Sequence, residues 1–89
     1  MKSLPANVSG YKRTKTFVNT TIPSGLLKDH QTLPGVWGKI VVTKGRLLYV
    51  IEGQEEHELS RDFFGVVEPQ IIHFVRPLEE VEFHVEFYR

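Results

Sequence analysis

The stretch Val36–Ile51, VWGKIVVTKGRLLYVI, decides the fold class. Trp37, Lys39 and Val41 alternate with Gly38, Ile40 and Val42, and after Gly45 the residues Leu47, Tyr49 and Ile51 alternate with Arg46, Leu48 and Val50. A two-residue period is that of β-strands, because successive side chains on an extended chain point to opposite faces. Thr43-Lys44-Gly45 supplies a turn, since glycine accepts positive φ without steric cost. The expectation is a β-hairpin with two largely apolar faces, lying between two layers of structure.

Toward the C-terminus, Glu52–Glu56 reads as a polar turn containing Gly53, followed by a short exposed strand over His57–Ser60. Phe63–Val67 is a further apolar run. Pro69 interrupts the ladder because proline has no amide proton to donate, and Ile71–Val75 resumes it. Pro77–Glu80 turns the chain again. Val81–Tyr88 has the cleanest alternation: Val81, Phe83, Val85 and Phe87 on one face, Glu82, His84, Glu86 and Tyr88 on the other.

Toward the N-terminus, Leu33-Pro34-Gly35 has proline and glycine where a type II turn requires them. Leu26–His30 reads as one short turn of helix or another strand, Ile22–Gly25 as a turn, and Tyr11–Val18 as a threonine-rich first strand. Residues 1–10, with Pro5, Asn7, Ser9 and Gly10, are expected to form a flexible arm. No helical period is sustained. The reading is therefore an all-β sandwich or small barrel of about six to eight short antiparallel strands, with one domain over 11–89.

A chain of 89 residues holds a single core. Area scaling gives a folded surface of about 5,300 Å² against about 15,000 Å² unfolded, so roughly two thirds of the surface can be buried. Eleven basic and eleven acidic residues cancel, and no stretch gathers one sign densely enough to attract a polyanion, which argues against nucleic-acid binding. No apolar run approaches the length of a membrane span and the first residues lack a signal-peptide core, so the expectation is a soluble, cytoplasmic protein.

The absence of cysteine excludes disulfides and thiolate metal sites. Ser3, Ser9, Ser24 and Ser60 stand outside any nucleophile-elbow context, and no phosphate-binding loop, dinucleotide fingerprint or H-E-x-x-H occurs. Histidine carries what chemistry remains. His30, His57, His73 and His84 are scattered, each beside or within an expected strand, and the mouth of a β-barrel collects side chains from distant strands. His30 precedes a polar loop, where a solvated histidine is the plain reading. His73 sits between Ile72 and Phe74, where a hydrogen-bonded core histidine competes with a ligand. His57 lies among glutamates in a wet neighbourhood. His84 shares a face with Glu82 and Glu86, and Glu86 is the best carboxylate candidate. The aromatic residues read as core or dimer interface, because no basic groove accompanies them.

In order, Ile22–His30 (IPSGLLKDH), Pro34–Ile40 (PGVWGKI), Val42–Gly45 (VTKG), Glu68–His73 (EPQIIH) and Phe83–Tyr88 (FHVEFY) resemble the cupin-like domain of tellurite-resistance-related proteins. That domain occurs alone or ahead of a methyltransferase, and here the resemblance covers the small domain alone. It implies a β-sandwich of jelly-roll type with a divalent metal, zinc foremost, held at the barrel mouth by His30, His73 and Glu86. A small molecule or anion in place of the metal is the other occupant it allows, and catalysis is not implied. The alternative is a non-enzymatic sensing or interaction module, a homodimer whose histidines are structural.

Overall fold

The computed structural model describes residues 1–53 and 55–89. Eight strands follow in order: β1 (Gly10–Arg13), β2 (Phe17–Val18), β3 (Trp37–Lys44), β4 (Leu47–Ile51), β5 (Glu55–Leu59), β6 (Gly65–Val67), β7 (His73–Pro77) and β8 (Glu82–Tyr88). One short 3-10 turn, Ser24–Leu27, stands between β2 and β3, two residues earlier than the short helix or strand expected at Leu26–His30. The strands form two sheets. One has the order β1-β8-β3-β6, with β2 also pairing with β8, and the other has the order β5-β4-β7. Every pairing is antiparallel. The all-β sandwich expected from the alternation is the observed architecture, and its accessible surface of 5434 Å² matches the value scaled from its mass.

Val36–Ile51 does not form a hairpin. β3 pairs with β8 on one side and β6 on the other, whereas β4 pairs with β5 and β7, so the two strands belong to different sheets. Alternation specifies which face of a strand is buried but not which strand lies beside it. Here the hydrogen-bonding edges of β3 and β4 are taken by strands remote in sequence. Nor are both faces buried: Gly38, Ile40 and Val42 of β3 are inside while Trp37, Lys39 and Val41 are half-buried, and Leu47 and Tyr49 of β4 are inside while Leu48 and Val50 are half-buried. Gly45, at φ +76°, carries the chain from one sheet to the other, and its α-carbon lies against the Glu80 carbonyl.

The inner faces supply the core, with Ile40, Leu47, Tyr49, Leu59, Val81 and Phe83 nearly or completely buried. Burying a side chain of this size contributes about 1.5–3 kcal/mol. The expected turn at Leu33–Gly35 is present: Gly35 has φ +76° and the Val36 amide donates to the Leu33 carbonyl at 3.1 Å. The polar turn after β4 includes Gln54, which lies outside the described residues. The N-terminal segment has no strand before Gly10, and its first residue is tied down, with the Met1 ammonium on Glu55 and the Val66 amide directed to Met1 Sδ at 3.2 Å.

Candidate ligand cavity

Between the sheets lies a cavity of about 230 Å³. One wall is β3 and β8, where register pairs Gly38 with Phe87, Ile40 with Val85 and Val42 with Phe83, placing these residues on the inner face. His73 and Val75 of β7 line it from the other sheet, and Pro23, Gly25 and Leu26 of the 3-10 segment border it. Its walls are apolar with few exceptions. The Thr14 hydroxyl is already engaged, donating to the Lys15 carbonyl at 2.8 Å and accepting from the Val85 amide at 3.0 Å. The Thr32 hydroxyl donates to the Val36 carbonyl at 2.7 Å.

The polar groups that remain are two imidazoles. His30 lies outside the named strands, in an isolated bridge with His73: each amide donates to the other's carbonyl, both at 2.8 Å. The backbones therefore hold the rings together, with centroids 5.3 Å apart and planes nearly perpendicular. Tyr49 meets the His73 ring in a second perpendicular contact at 5.7 Å. His73 is only 5% exposed, and burial, with a smaller contribution from nearby His30, holds its pKa below the ordinary value despite the Ile71 hydrogen bond. It is the neutral imidazole at neutral pH. Because a carbonyl only accepts, the 3.2 Å contact between His73 Nδ1 and the Ile71 oxygen places the proton on Nδ1 and leaves Nε2 as an acceptor. His30 Nδ1 is buried with no hydrogen-bond partner. A buried polar atom of this kind calls for a partner that the protein itself does not supply.

Glu86 stands apart from this pair. Register sets it beside Lys39 on the outer face of β8, with His84 and Tyr88, while Phe83, Val85 and Phe87 face the cavity. Its two oxygens are engaged there: Oε2 accepts from His84 Nε2 at 2.9 Å and Oε1 from the Tyr88 hydroxyl at 2.8 Å. Those two bonds, the His84 one foremost, lower the Glu86 pKa, and the Glu86 contact raises that of Tyr88. Of the three residues grouped by resemblance, the structure thus brings two together. Among the described residues no group of three or more histidine or acidic side chains is placed to hold a metal ion.

The two other histidines are each packed. His84 is 7% exposed although it lies on the outer face. His57 contacts Glu55 and sits between the rings of Tyr49 and Phe63, at 6.4 and 6.1 Å, which is drier than its glutamate neighbours suggested. The sequence reading set His84, Glu86 and Tyr88 on one face of the last strand but not the hydrogen bonds that join them. It also missed the Tyr49 hydroxyl, which donates to the Val66 carbonyl at 2.8 Å and spans the sandwich between β4 and β6. Among the described residues no helix is long and apolar enough to cross a membrane.

Fold and cavity together define a small two-sheet β domain with an apolar chamber between its sheets, lined by two histidines, His73 buried and His30 half-buried. The TehB-like domain model matches residues 12–85, and the chain belongs to that family. The resemblance read from the sequence motifs and this match agree. Among solved structures, a protein from Escherichia coli strain K12 superposes with a TM-score of 0.90 at 20% identity, covering 100% of this chain and 97% of the other, which establishes the shared fold. TehB from Haemophilus influenzae superposes with a TM-score of 0.82 at 29% identity. That alignment covers 93% of this chain and 32% of TehB, so the chain spans about a third of that protein's length. No curated protein matches the chain.

Proposed function

We propose that this member of the TehB-like family is a binding module whose cavity takes a small molecule, with His30 and His73 as its polar anchors. The carrying observation is the buried, unpartnered Nδ1 of His30, a residue that lines the largely apolar chamber beside a neutral His73. An unsatisfied buried acceptor or donor costs about 1–3 kcal/mol, a debt that a bound polar group removes.

A divalent metal is the second candidate occupant. The His73 ring, with Nδ1–H on a backbone carbonyl, has the orientation that metal-binding histidines are given by their outer partners. Two imidazoles fall short of the three protein ligands of a catalytic zinc site, however, and Glu86 is across the sheet. The small molecule is therefore the preferred occupant. The connection to tellurite resistance enters through the family and implies no chemistry at this cavity.

The test is nuclear magnetic resonance on the ¹⁵N-labelled chain, following the His30 and His73 ring nitrogens and the amides of Ile40 and Val85. Zinc, inorganic phosphate, imidazole and small alcohols are added in turn. Saturable shifts at both rings and at the cavity amides support the reading. A chain silent to every probe, together with a thermal melt indifferent to chelator, refutes it.

A further inference from the structure

We infer that the occupant of the cavity is an uncharged, ring-sized molecule bearing one hydroxyl, a phenol or small cyclic alcohol, and not an oxyanion. This inference rests on the binding role proposed above and specifies its ligand. Three observations carry it.

The first is size. A cavity of about 150 Å³ accepts benzene. The chamber here, about 230 Å³, has room for one six-membered ring with a substituent and not for a nucleotide or a peptide.

The second is charge. Among the described residues lining the chamber there is no lysine, arginine, aspartate or glutamate. His73 is neutral, so no cation awaits an anion. Bringing a phosphate, a carboxylate or a tellurite ion into such a site would strip its hydration with no opposite charge in return, a cost far above that of a neutral polar group. Lys39 and Arg13 are paired with Glu86 on the outer face, and Lys12, paired with Phe87, borders a separate surface pocket with His30 and not the chamber.

The third is the pattern of donors and acceptors. His73 Nε2 is an acceptor, because Nδ1 carries the proton toward Ile71. His30 Nδ1 lacks a partner and takes either role according to its tautomer. A hydroxyl is the neutral group that donates and accepts at one atom, so it matches the fixed acceptor and either form of its neighbour. A ketone or ether, which only accepts, leaves His73 Nε2 unmatched. Phe17, Phe83 and Phe87 on the walls suit a flat or alicyclic ring, and Phe17 and Phe83 already meet in a tilted contact with centroids 5.5 Å apart.

The experiment titrates the ¹⁵N-labelled chain at neutral pH with phenol, benzene and benzoate, adding zinc as a separate arm. Phenol is expected to shift the His30 and His73 ring nitrogens and the Ile40, Val75 and Val85 amides. Its affinity should exceed that of benzene by about tenfold, the ratio corresponding to about 1.4 kcal/mol. Benzoate should give no shift at these positions. In His73→Phe, which keeps an aromatic ring there, benzene binding should persist while the phenol advantage falls; His30→Phe gives the same comparison should the first variant melt far below wild type. Equal affinities for phenol and benzene, or tighter binding of benzoate, overturn the inference. Phenol silent while zinc moves both rings overturns it and gives the site to the metal, the second candidate occupant. Silence in every arm removes both the inference and the binding role.

Discussion

Replacing Gly45 by alanine should destabilise the fold by about 1–4 kcal/mol, and a matched control separates the causes. Gly35 and Gly45 have the same φ of +76°, yet an ideal Cβ at Gly35 meets nothing within 4 Å, whereas at Gly45 it would lie 2.0 Å from the Glu80 carbonyl oxygen and 3.2 Å from Val81 Cα. Both substitutions incur the left-handed penalty of about 1–2 kcal/mol, and both gain equally from a stiffer unfolded chain. The Gly45 variant adds an overlap far inside the roughly 3.5 Å at which non-bonded heavy atoms rest. The obstacle is backbone, and it is pinned: Asn19 Nδ2 donates to the Glu79 carbonyl at 3.0 Å, Asn19 Oδ1 accepts from the Val81 amide at 2.8 Å, and Val81 is fully buried. Overpacking against a site that cannot retreat costs typically about 1–3 kcal/mol. Urea unfolding of Gly45→Ala and Gly35→Ala, followed by Trp37 fluorescence, measures the difference directly. Two variants that agree within about 0.5 kcal/mol would refute the claim that Gly45 is required by the crossing between sheets.

Acid should weaken the fold through His73: held below its ordinary 6.5, it is protonated more readily in the unfolded chain, so its contribution is complete above pH 6.5 and lost as pH falls through its lower folded value. Urea midpoints measured from pH 7.5 downward should fall, and His73→Phe should flatten that slope. Asn19→Ala removes both bonds to the turn before β8 and should cost about 1–3 kcal/mol in the same unfolding assay, with a normal dependence on denaturant. Tyr49→Phe leaves the Val66 carbonyl without its buried donor and should cost a similar amount. Glu86→Gln should leave ring-nitrogen shifts of His30 and His73 unchanged on ligand addition, because its contacts are on the outer face; a lost response would place it in the cavity after all.

How far the chain can be read in advance depends on the range of the interaction. The alternation of Val81–Tyr88 is local, and the structure keeps its two faces as written: Phe83 and Val85 inside, His84, Glu86 and Tyr88 outside. The Leu33–Gly35 turn was equally legible, since proline and glycine fix its dihedral angles within the residues themselves. The hairpin failed because strand partnership is not local. Nothing in Val36–Ile51 reports that β8 and β6 flank β3, and the turn glycine looks the same whether it closes a hairpin or passes beneath the Glu80 carbonyl. Glu86 is the instructive residue. Its own alternation put it opposite Phe83 and Val85, while resemblance grouped it with His30 and His73; the local rule is the one its position follows.

The sheet-to-sheet crossing and the histidine pair are parts of one arrangement. Because β3 and β4 separate, the inner face of β3 looks across an interior at His73 and Val75 of β7, and the chamber exists between them. Had the two strands paired, Gly38 and Ile40 would share a sheet with Tyr49, and His73 would have no wall to face. His30 then enters from a loop and is fixed by two backbone bonds to His73, to which the edge-on contact of the two rings is added. Ring chemistry is thereby separated from ring placement: exchanging either imidazole for another flat side chain leaves the bridge intact, since it is made by amides and carbonyls alone. An effect of such an exchange on binding therefore reports on the nitrogens. An effect of moving Gly45 reports on the chamber that contains them.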